Sequence, residues 1–214
     1  KSLLSFNGNK MITTSGGGAM ITNSDEQWRE IMMYATQYRE SYPYYQHEKI
    51  GFNYRMSNIC AGIGRGQMTV ADKHLAHHRH AQALYEELLK DVEGIHVHTQ
   101  PTCGKYDSNF WLTAITIDPE LRVKGEDKAY SKTVTGAVGG AGSVVHIAKP
   151  ITTECQPNRN VEAMRIWLDK ALIEARPVWK PMHKQPIYQN APAYTNGVSE
   201  AIFKIGMCGE VVKR

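Results

Sequence analysis

The sequence is poor in cysteine and has no long hydrophobic segment. Its four cysteines are far apart and form no CxxC pair (Cys60, Cys103, Cys155 and Cys208). A disulfide framework or a cysteine-rich zinc site is therefore not expected, and a reducing cytoplasm fits this composition. No apolar run approaches the roughly 18 residues that a membrane helix needs, and no basic and apolar leader opens the sequence, so we expect neither membrane insertion nor secretion.

The sequence also lacks a strong excess of charge of either sign. Lys and Arg total 25 against 21 Asp and Glu, and this net charge of +4 is spread along the chain, so it does not indicate a nucleic-acid partner. Hydrophobic residues make up 42%, which excludes global disorder, and 214 residues suit one large or two small domains. Because residue 1 is Lys and the first residues already have the pattern of folded chain, we expect a piece of a longer protein.

The first third of the chain alternates short apolar segments with turns. Residues 11–14 and 19–22 predict two strands joined by a glycine-rich turn. Ser24 and Gln27 have the spacing of a capping box, and the apolar residues that follow predict a helix over residues 25–37. The next segment, residues 38–54, is rich in tyrosine and is predicted to be a loop, in which aromatic side chains serve either as contact residues or as packing.

The rest of the sequence predicts a small α/β domain. Ser57 is a good N-cap for a helix that continues to about Gly94, and the glycines in its first turns indicate a close backbone approach. Helices and strands are then predicted at residues 95–98, 110–117, 161–170, 175–179 and 198–205, with an insertion or long loop near 122–153. We divide the chain into a first domain at 1–70 and a second at 71–214.

Several residue groups carry possible chemistry. The histidines of residues 74–80 lack an HExxH pattern and Cys or Asp partners, so no metal site is expected. Two glycine-rich runs lack the spacing of phosphate-binding motifs, and turn geometry is favoured for both.

Cationic side chains on the proline-stiffened segment 176–183 suit an anionic ligand such as a diphosphate. The alternative is an ordinary strand end with a solvated rim. Lys10, in a short turn beside apolar segments, is either a candidate nucleophile or an exposed turn lysine.

Four segments taken together are more specific than any one of them. Ser5-Phe6-Asn7-Gly8-Asn9-Lys10, the run Thr13 to Gly18, the run Gly51 to Asn58 and the run Glu174 to His183 resemble, in order and spacing, the DegT/DnrJ/StrS-type sugar aminotransferases. These are pyridoxal 5′-phosphate (PLP) enzymes of fold type I. The resemblance is greatest to the branch that aminates UDP-linked 4-keto-6-deoxy sugars for surface polysaccharides and glycans.

The resemblance implies a role for each matching residue. Lys10 is similar to the lysine that forms a Schiff base with PLP. The resemblance also implies a ping-pong transamination with an amino-acid donor, typically glutamate. Asn53 resembles the asparagine that reaches the cofactor phosphate of the neighbouring subunit of a homodimer, with Arg55 beside it. The tyrosine-rich loop and the segment 176–183 resemble the lining of the nucleotide-sugar site, which makes these residues candidate substrate contacts: Tyr45, Arg176, Trp179, Lys180 and His183.

The sequence also departs from the family pattern. Family members are about twice this length, with the lysine near mid-chain, and they continue after Gly-x-Cys with Leu-Pro, where this chain has Gly209 and Glu210. The resemblance therefore implies the C-terminal part of the large, PLP-binding domain followed by the small α/β domain. The alternatives are a non-catalytic truncated domain and a sugar dehydratase of the same family, in which the lysine is replaced by histidine.

Overall fold

The computed structural model describes residues 2–126 and 155–209. In these ranges the chain forms two compact units, Lys1–His77 and His78–Arg214, and the division falls within a long helix. The sequence-based boundary at residues 70 and 71 stays a prediction. Most of the insertion that we placed near 122–153 lies outside the described residues.

The first unit begins with a two-stranded antiparallel ribbon. Strand β1 (Ser2–Ser5) pairs with β2 (Gly18–Ile21), with Ser5 opposite Gly18. The second strand confirms the sequence-based prediction, but the strand predicted at residues 11–14 is wrong. Residues 6–17 form the loop between the two strands, because Phe6 pairs with both Thr14 and Gly17 and so closes this loop at its base.

The helices of the first unit begin where the sequence predicts. Helix α1 (Asp25–Ala35) and helix α2 (Asn58–Met68) start after Ser24 and Ser57, and each serine side chain accepts a hydrogen bond from the amide three residues later. The box at α1 is not reciprocal, because the Gln27 side chain accepts the Thr22 hydroxyl instead, at 2.9 Å. Both N-terminal signals in the sequence are therefore confirmed as caps.

The helix predicted to run on to Gly94 is two helices, α2 and α3 (Ala71–Leu89). The carbonyl of Gly66, which the amide of Val70 would occupy in a continuous helix, instead accepts both the amide and the hydroxyl of Thr69, at 3.2 and 2.8 Å. The amide of Val70 turns to Gln67. The side-chain hydroxyl thus competes with the backbone and breaks the helix.

The second unit is built on a four-stranded antiparallel sheet with the order β3-β4-β6-β5. Its strands are β3 (Ile95–Val97), β4 (Thr113–Ile117), β5 (Ala175–Pro177) and β6 (Gly206–Gly209), and its later helices are α4 (Arg159–Lys170) and α5 (Val198–Ile205). Ile117, Val161 and Met207 form the buried core where the helices meet the sheet. The prediction of helices on one small sheet is confirmed.

Strand β6 is an inner strand of the sheet and is not predicted from the sequence. It starts directly after α5, and Gly206 makes this possible, because a Cβ there would lie 2.6 Å from the carbonyl oxygen of Ile202 and 2.8 Å from the Val178 side chain. The carbonyl of Gly206 also accepts the amide of Val178 at 3.1 Å. A short glycine-flanked segment behind a helix carries no strand periodicity, which explains the omission.

Buried Asn160 fixes the chain that follows β4. Its side-chain oxygen accepts the amide of Val123 at 3.0 Å, its amide nitrogen donates to the carbonyl of Leu121, and the residue is 3% exposed. Because these hydrogen bonds are partly buried, the Asn160 side chain supplies partners that water reaches less easily.

We therefore expect Asn160→Ala to lower the free energy of unfolding by about 2 kcal/mol, the cost of leaving two such groups unpaired. Urea unfolding followed by fluorescence measures this change. Asn190→Ala, at an exposed position in the same unit, is the matched control and should shift the midpoint little. Equal effects of the two substitutions would contradict the assignment.

Candidate active site

Lys10 lies in a tight turn that follows strand β1. Its amide donates to the carbonyl of Asn7 at 3.0 Å, which closes the turn, and its side chain is half-buried. The turn is part of the loop closed by Phe6, whose amide donates to Gly17 at 3.1 Å and whose carbonyl accepts from Thr14 at 2.9 Å. Backbone hydrogen bonds within the turn and at the base of the loop therefore fix the position of the Lys10 backbone.

The same loop packs closely on α2 and on the first turns of α3. Thr14 is 2% exposed, and a Cβ on Gly64 would lie 2.9 Å from its methyl group. Gly17 has φ of 105° and lies against the Met56 side chain. Nδ1 of His74 donates to the carbonyl of Met11 at 3.0 Å, so this histidine supports the lysine loop.

Close backbone approach was predicted for all three glycines of α2, and the structure shows it for one. Gly64 contacts Thr14, whereas a Cβ on Gly62 or Gly66 would meet no atom within 4 Å among the described residues. In the described part of the chain no group of three or more His, Cys, Asp or Glu side chains is arranged to hold a metal ion. No helix there is long and apolar enough to cross a membrane.

The tyrosine-rich segment leaves α1 through two consecutive residues in the left-handed region, Gln37 at φ 66° and Tyr38 at φ 51°. Residues 51–54 return along the end of α1, with Phe52 pairing with both Tyr34 and Gln37 through the backbone. Gly51 passes so close to the 37–38 peptide that a Cβ would lie 2.3 Å from its carbon and nitrogen atoms. The loop is thus closed by a contact that admits only glycine.

Side-chain contacts pin the start of this loop to α1. The hydroxyl of Tyr38 donates to Glu30 at 3.2 Å, and the ammonium of Lys49 lies 3.5 Å from the same carboxylate and 4.8 Å from the centre of the Tyr38 ring. The hydrogen bond with Tyr38, together with the charge of Glu30, raises the pKa of Lys49 above its ordinary value. Lys49 is therefore a structural cation of this loop.

The loop closure places Asn53 and Arg55 in one open pocket with a volume of about 410 Å³. The pocket is also lined by residues that sequence reasoning did not select, chiefly Arg39, Glu40 and Tyr42. An amide and two guanidinium groups provide hydrogen-bond donors that suit a phosphate, with Glu40 as the opposing charge. Arg39 has no motif around it, and it reaches the pocket through the left-handed turn at 37–38, which the sequence does not reveal.

Tyr45 lies beside this pocket as the partner of Arg39. The guanidinium carbon of Arg39 is 3.9 Å from the centre of the Tyr45 ring, and the tyrosine is 73% exposed. A cation over an exposed ring orients the arginine at a gain of about 1 kcal/mol. Tyr45 thus holds one of the two guanidinium groups of the pocket.

The candidate residues of the second unit lie along one segment that begins in β5. Arg176, in the strand, pairs with Glu174. Trp179 is 66% exposed and packs against Trp111 with ring centroids 6.1 Å apart. Lys180 is half-buried, and its carbonyl accepts the Gln185 side chain at 3.4 Å. The segment therefore presents a cation and an indole ring at its surface.

His183 ends this segment and is paired with a glutamate that the sequence analysis did not select. Nε2 of His183 lies 2.7 Å from Oε1 of Glu200, and both side chains are about four-fifths buried, at 17% and 20% exposure. The hydrogen bond from His183 holds the pKa of the Glu200 carboxyl below its ordinary value. In the sequence, Glu200 looks like an ordinary acidic residue in the first turn of a helix. The sequence therefore gives no signal that Glu200 pairs with His183.

The Gly51 contact yields a direct test of the pocket. We expect Gly51→Ala to open the loop, because its methyl group would overlap the 37–38 peptide and both ends of the contact are backbone. The near-ultraviolet circular dichroism of the tyrosine cluster should weaken, and unfolding should occur at lower urea concentration.

Gly62→Ala is the matched control, since nothing lies within 4 Å of its added methyl group in the described residues. Alanine there should stabilise α2 by up to about 1 kcal/mol, the difference in helix propensity. An unchanged tyrosine spectrum in Gly51→Ala would refute the closure.

Comparison with known proteins identifies the family of this chain. Residues 1–154 match the model of the DegT/DnrJ/EryC1/StrS aminotransferase family. The chain is 34% identical over 210 residues to EpsN of Bacillus subtilis (strain 168), assigned as a pyridoxal phosphate-dependent aminotransferase, covering 96% of this chain and 44% of EpsN. It is 28% identical to GDP-perosamine synthase of Escherichia coli O157:H7, covering 87% of this chain and 40% of that enzyme.

Solved structures show the same fold. The aminotransferase TlmJ from Streptoalloteichus hindustanus matches with a TM-score of 0.69 at 15% identity, over 97% of this chain and 45% of that one. PseC of Helicobacter pylori, an aminotransferase of pseudaminic acid biosynthesis, matches with a TM-score of 0.65 at 19% identity, over 98% of this chain and 47% of that one. The chain thus spans less than half of these proteins. It belongs to the DegT/DnrJ/EryC1/StrS aminotransferase family and has the fold of the sugar aminotransferases, fold type I.

Proposed function

We propose that the chain provides the lysine-bearing segment and the small α/β domain of a PLP-dependent aminotransferase that moves an amino group from glutamate to a nucleotide-linked 4-keto-6-deoxy sugar. The observation that carries this proposal is the family match over residues 1–154, which includes Lys10, Asn53 and Arg55. The relatives named for GDP-perosamine and for dTDP- and UDP-linked 4-amino sugars support the substrate class. This class supports a role in surface polysaccharide or glycan synthesis. The proposed location is the cytoplasm, because the four cysteines are far apart in the sequence.

The residues of the first unit fit PLP in their chemistry. Lys10 offers a primary amine on a turn that backbone hydrogen bonds hold in place. The pocket of Asn53, Arg55 and Arg39 offers an amide and two guanidinium groups, a donor set that suits a phosphate. Lys10 would hold the aldehyde of PLP, and Asn53 with Arg55 would hold a phosphate.

Bound PLP supplies an electron sink for the carbanion that forms when an amino acid loses its α-proton. The protein must supply a positioned base, and the Nζ atom of Lys10 is the group that we assign to this proton transfer. The fixed turn restricts the reach of the side chain, and this restriction would limit the directions from which the amine approaches a reacting carbon atom. Lys10 also disfavours the dehydratase alternative, because those enzymes have histidine at this position.

We assign the phosphate contact of Asn53 and Arg55 to the neighbouring subunit of a homodimer, as the resemblance implies. The pocket is open and both residues are exposed, so their side chains are accessible to a second copy. Tyr45, Arg176, Trp179, Lys180 and His183 are the proposed contacts to the nucleotide sugar. Exposed aromatic rings and cations of this kind suit a base and a diphosphate.

We further propose that the chain is the C-terminal part of its enzyme. It covers 44% of EpsN, and the ribbon of β1 and β2 leaves Leu3 80% and Ile21 53% exposed. A two-stranded ribbon is marginally stable in water unless further strands or helices cover it. The 214-residue chain on its own should therefore bind PLP weakly, which a visible absorbance titration measures, and tight binding at Lys10 would contradict this proposal.

Replacing Lys10 tests the proposed chemistry. We expect Lys10→Ala to reduce transamination at least about 10³-fold in the holoenzyme, because both the covalent contact and the base are lost. The assay follows transfer of the amino group to 2-oxoglutarate from three probes: GDP-perosamine, dTDP-4-amino-4,6-dideoxy-D-glucose and UDP-4-amino-4,6-dideoxy-N-acetyl-β-L-altrosamine.

Borohydride treatment followed by peptide mass spectrometry should locate PLP on Lys10 and lose that signal in the variant. Lys90→Ala is the control, since Lys90 is an exposed lysine that pairs with Glu87. Undiminished turnover by Lys10→Ala would refute the proposed function.

Mixing two inactive variants tests the cross-subunit role of Asn53. Lys10→Ala and Asn53→Ala homodimers should each be impaired, but a hybrid dimer contains one site with an intact Lys10 and an intact Asn53 from the partner. Subunit exchange should therefore restore up to about half of the wild-type activity in the hybrid, once it is separated by differential tags. If Asn53 serves the site of its own chain, the hybrid stays inactive.

A further inference from the structure

The Glu200 carboxylate is more fully engaged than an ordinary helix-terminal acid. Oε1 contacts Nε2 of His183 at 2.7 Å and lies 3.8 Å from the ammonium of Lys184, while Oε2 accepts the Ser199 hydroxyl at 3.3 Å. His183 and Lys184 both belong to the 3-10 turn Met182–Lys184, which follows Lys180. One carboxylate thus joins the start of α5 to the end of the candidate substrate segment.

The short contact decides which ring nitrogen of His183 carries a proton. The hydrogen bond from His183 lowers the pKa of Glu200, so the carboxyl is ionised at neutral pH. An ionised carboxylate can only accept hydrogen bonds, and Nε2 must therefore be the protonated atom. Within the described residues no hydrogen bond to Nδ1 of His183 is present, which leaves this atom for a ligand.

The 3-10 turn does not depend on Glu200 for its shape. The amide of Lys184 donates to Pro181 at 2.9 Å, and the amide of Gln185 donates to Met182 at 3.0 Å. Pro181 is buried and restricts the entry to the turn. Glu200 therefore acts on the orientation of the imidazole ring and its tautomer rather than on the backbone.

We propose that Glu200 is the positioning residue of His183, fixing the Nε2–H tautomer so that Nδ1 accepts a hydrogen bond from a hydroxyl group of the sugar substrate. The inference rests on the proposed function for its substrate, and on the 2.7 Å contact and the burial of both side chains for its geometry. The same Glu200 oxygen atom that contacts the ring also lies 3.8 Å from the ammonium of Lys184. A hydrogen bond from one ring nitrogen to a carboxylate sets which of the two nitrogen atoms carries the proton whenever the imidazole is neutral.

Nuclear magnetic resonance of the full-length holoenzyme tests the geometry without substrate. Long-range ¹H–¹⁵N correlation of labelled histidine, at a pH where the ring is neutral, should show His183 as the Nε2–H tautomer. Glu200→Gln should mix the two tautomers, because an amide can donate to the ring as well as accept from it. Lys184→Gln is the matched control, since it removes the longer contact to the same carboxylate and should leave the tautomer unchanged.

Kinetics test the link to substrate. Glu200→Gln should raise KM for whichever of the three nucleotide-linked amino sugars is turned over by about tenfold, the size of one misplaced hydrogen bond, with KM for 2-oxoglutarate unchanged. In a His183→Asn background the same substitution should add little, because its effect passes through the ring.

The outcomes separate the inference from the proposed function. An unchanged His183 tautomer in Glu200→Gln, or an equal loss in the presence and absence of His183, would overturn the inference while the enzyme remained an aminotransferase. Absence of transamination by the wild-type protein would contradict the proposed function, and the tautomer comparison would still decide whether Glu200 positions the ring.

Discussion

The close approach of Gly51 to the peptide between Gln37 and Tyr38 is the constraint on which the first unit's pocket depends. A Cβ atom on Gly51 would lie 2.3 Å from the backbone carbon of Gln37 and the backbone nitrogen of Tyr38, so no side chain is accommodated there. The contact holds two residues in the left-handed region, which costs of order 1 kcal/mol each or more and persists only when neighbouring structure enforces it. The backbone pairs of Phe52 with Tyr34 and Gln37 supply that enforcement. The strain lies where Asn53 and Arg55 are presented, as is common at functional sites.

Much of the secondary structure could be predicted because its signals are local. Ser24 and Ser57 each cap a helix at the position that the sequence indicates. The errors have a common cause in competing hydrogen bonds that local patterns do not contain. The hydroxyl of Thr69 takes a carbonyl from the helix ladder, and Phe6 pairs across ten residues to turn a predicted strand into a loop. Strand β6 gains its pairing from β4 and β5, far away in sequence.

The candidate site also contains residues that the sequence indicates and residues that it does not. Lys10, Asn53 and Arg55 belong to contiguous motifs, so resemblance to a family was sufficient to select them. Arg39 and Glu200 belong to no motif, and their importance follows from geometry that the sequence does not contain. Arg39 enters the pocket through a left-handed turn, and Glu200 meets His183 from a helix that begins fifteen residues later. Motifs therefore select the candidate ligand contacts, whereas the groups that we propose to orient them are found only from the structure.

The two units hold their candidate residues by different means. The second unit has a buried core of Ile117, Val161 and Met207. Its candidate substrate segment is tied to that core through β5 and through the hydrogen bond between His183 and Glu200 of α5. The first unit has little buried apolar surface, and the positions of Lys10 and Asn53 rest on backbone hydrogen bonds at the bases of two loops. Such hydrogen bonds fix the orientation of the backbone but contribute little net free energy to folding. This combination of defined geometry and little burial supports the proposal that further polypeptide covers the first unit, because a partner that binds only the folded state adds to its stability.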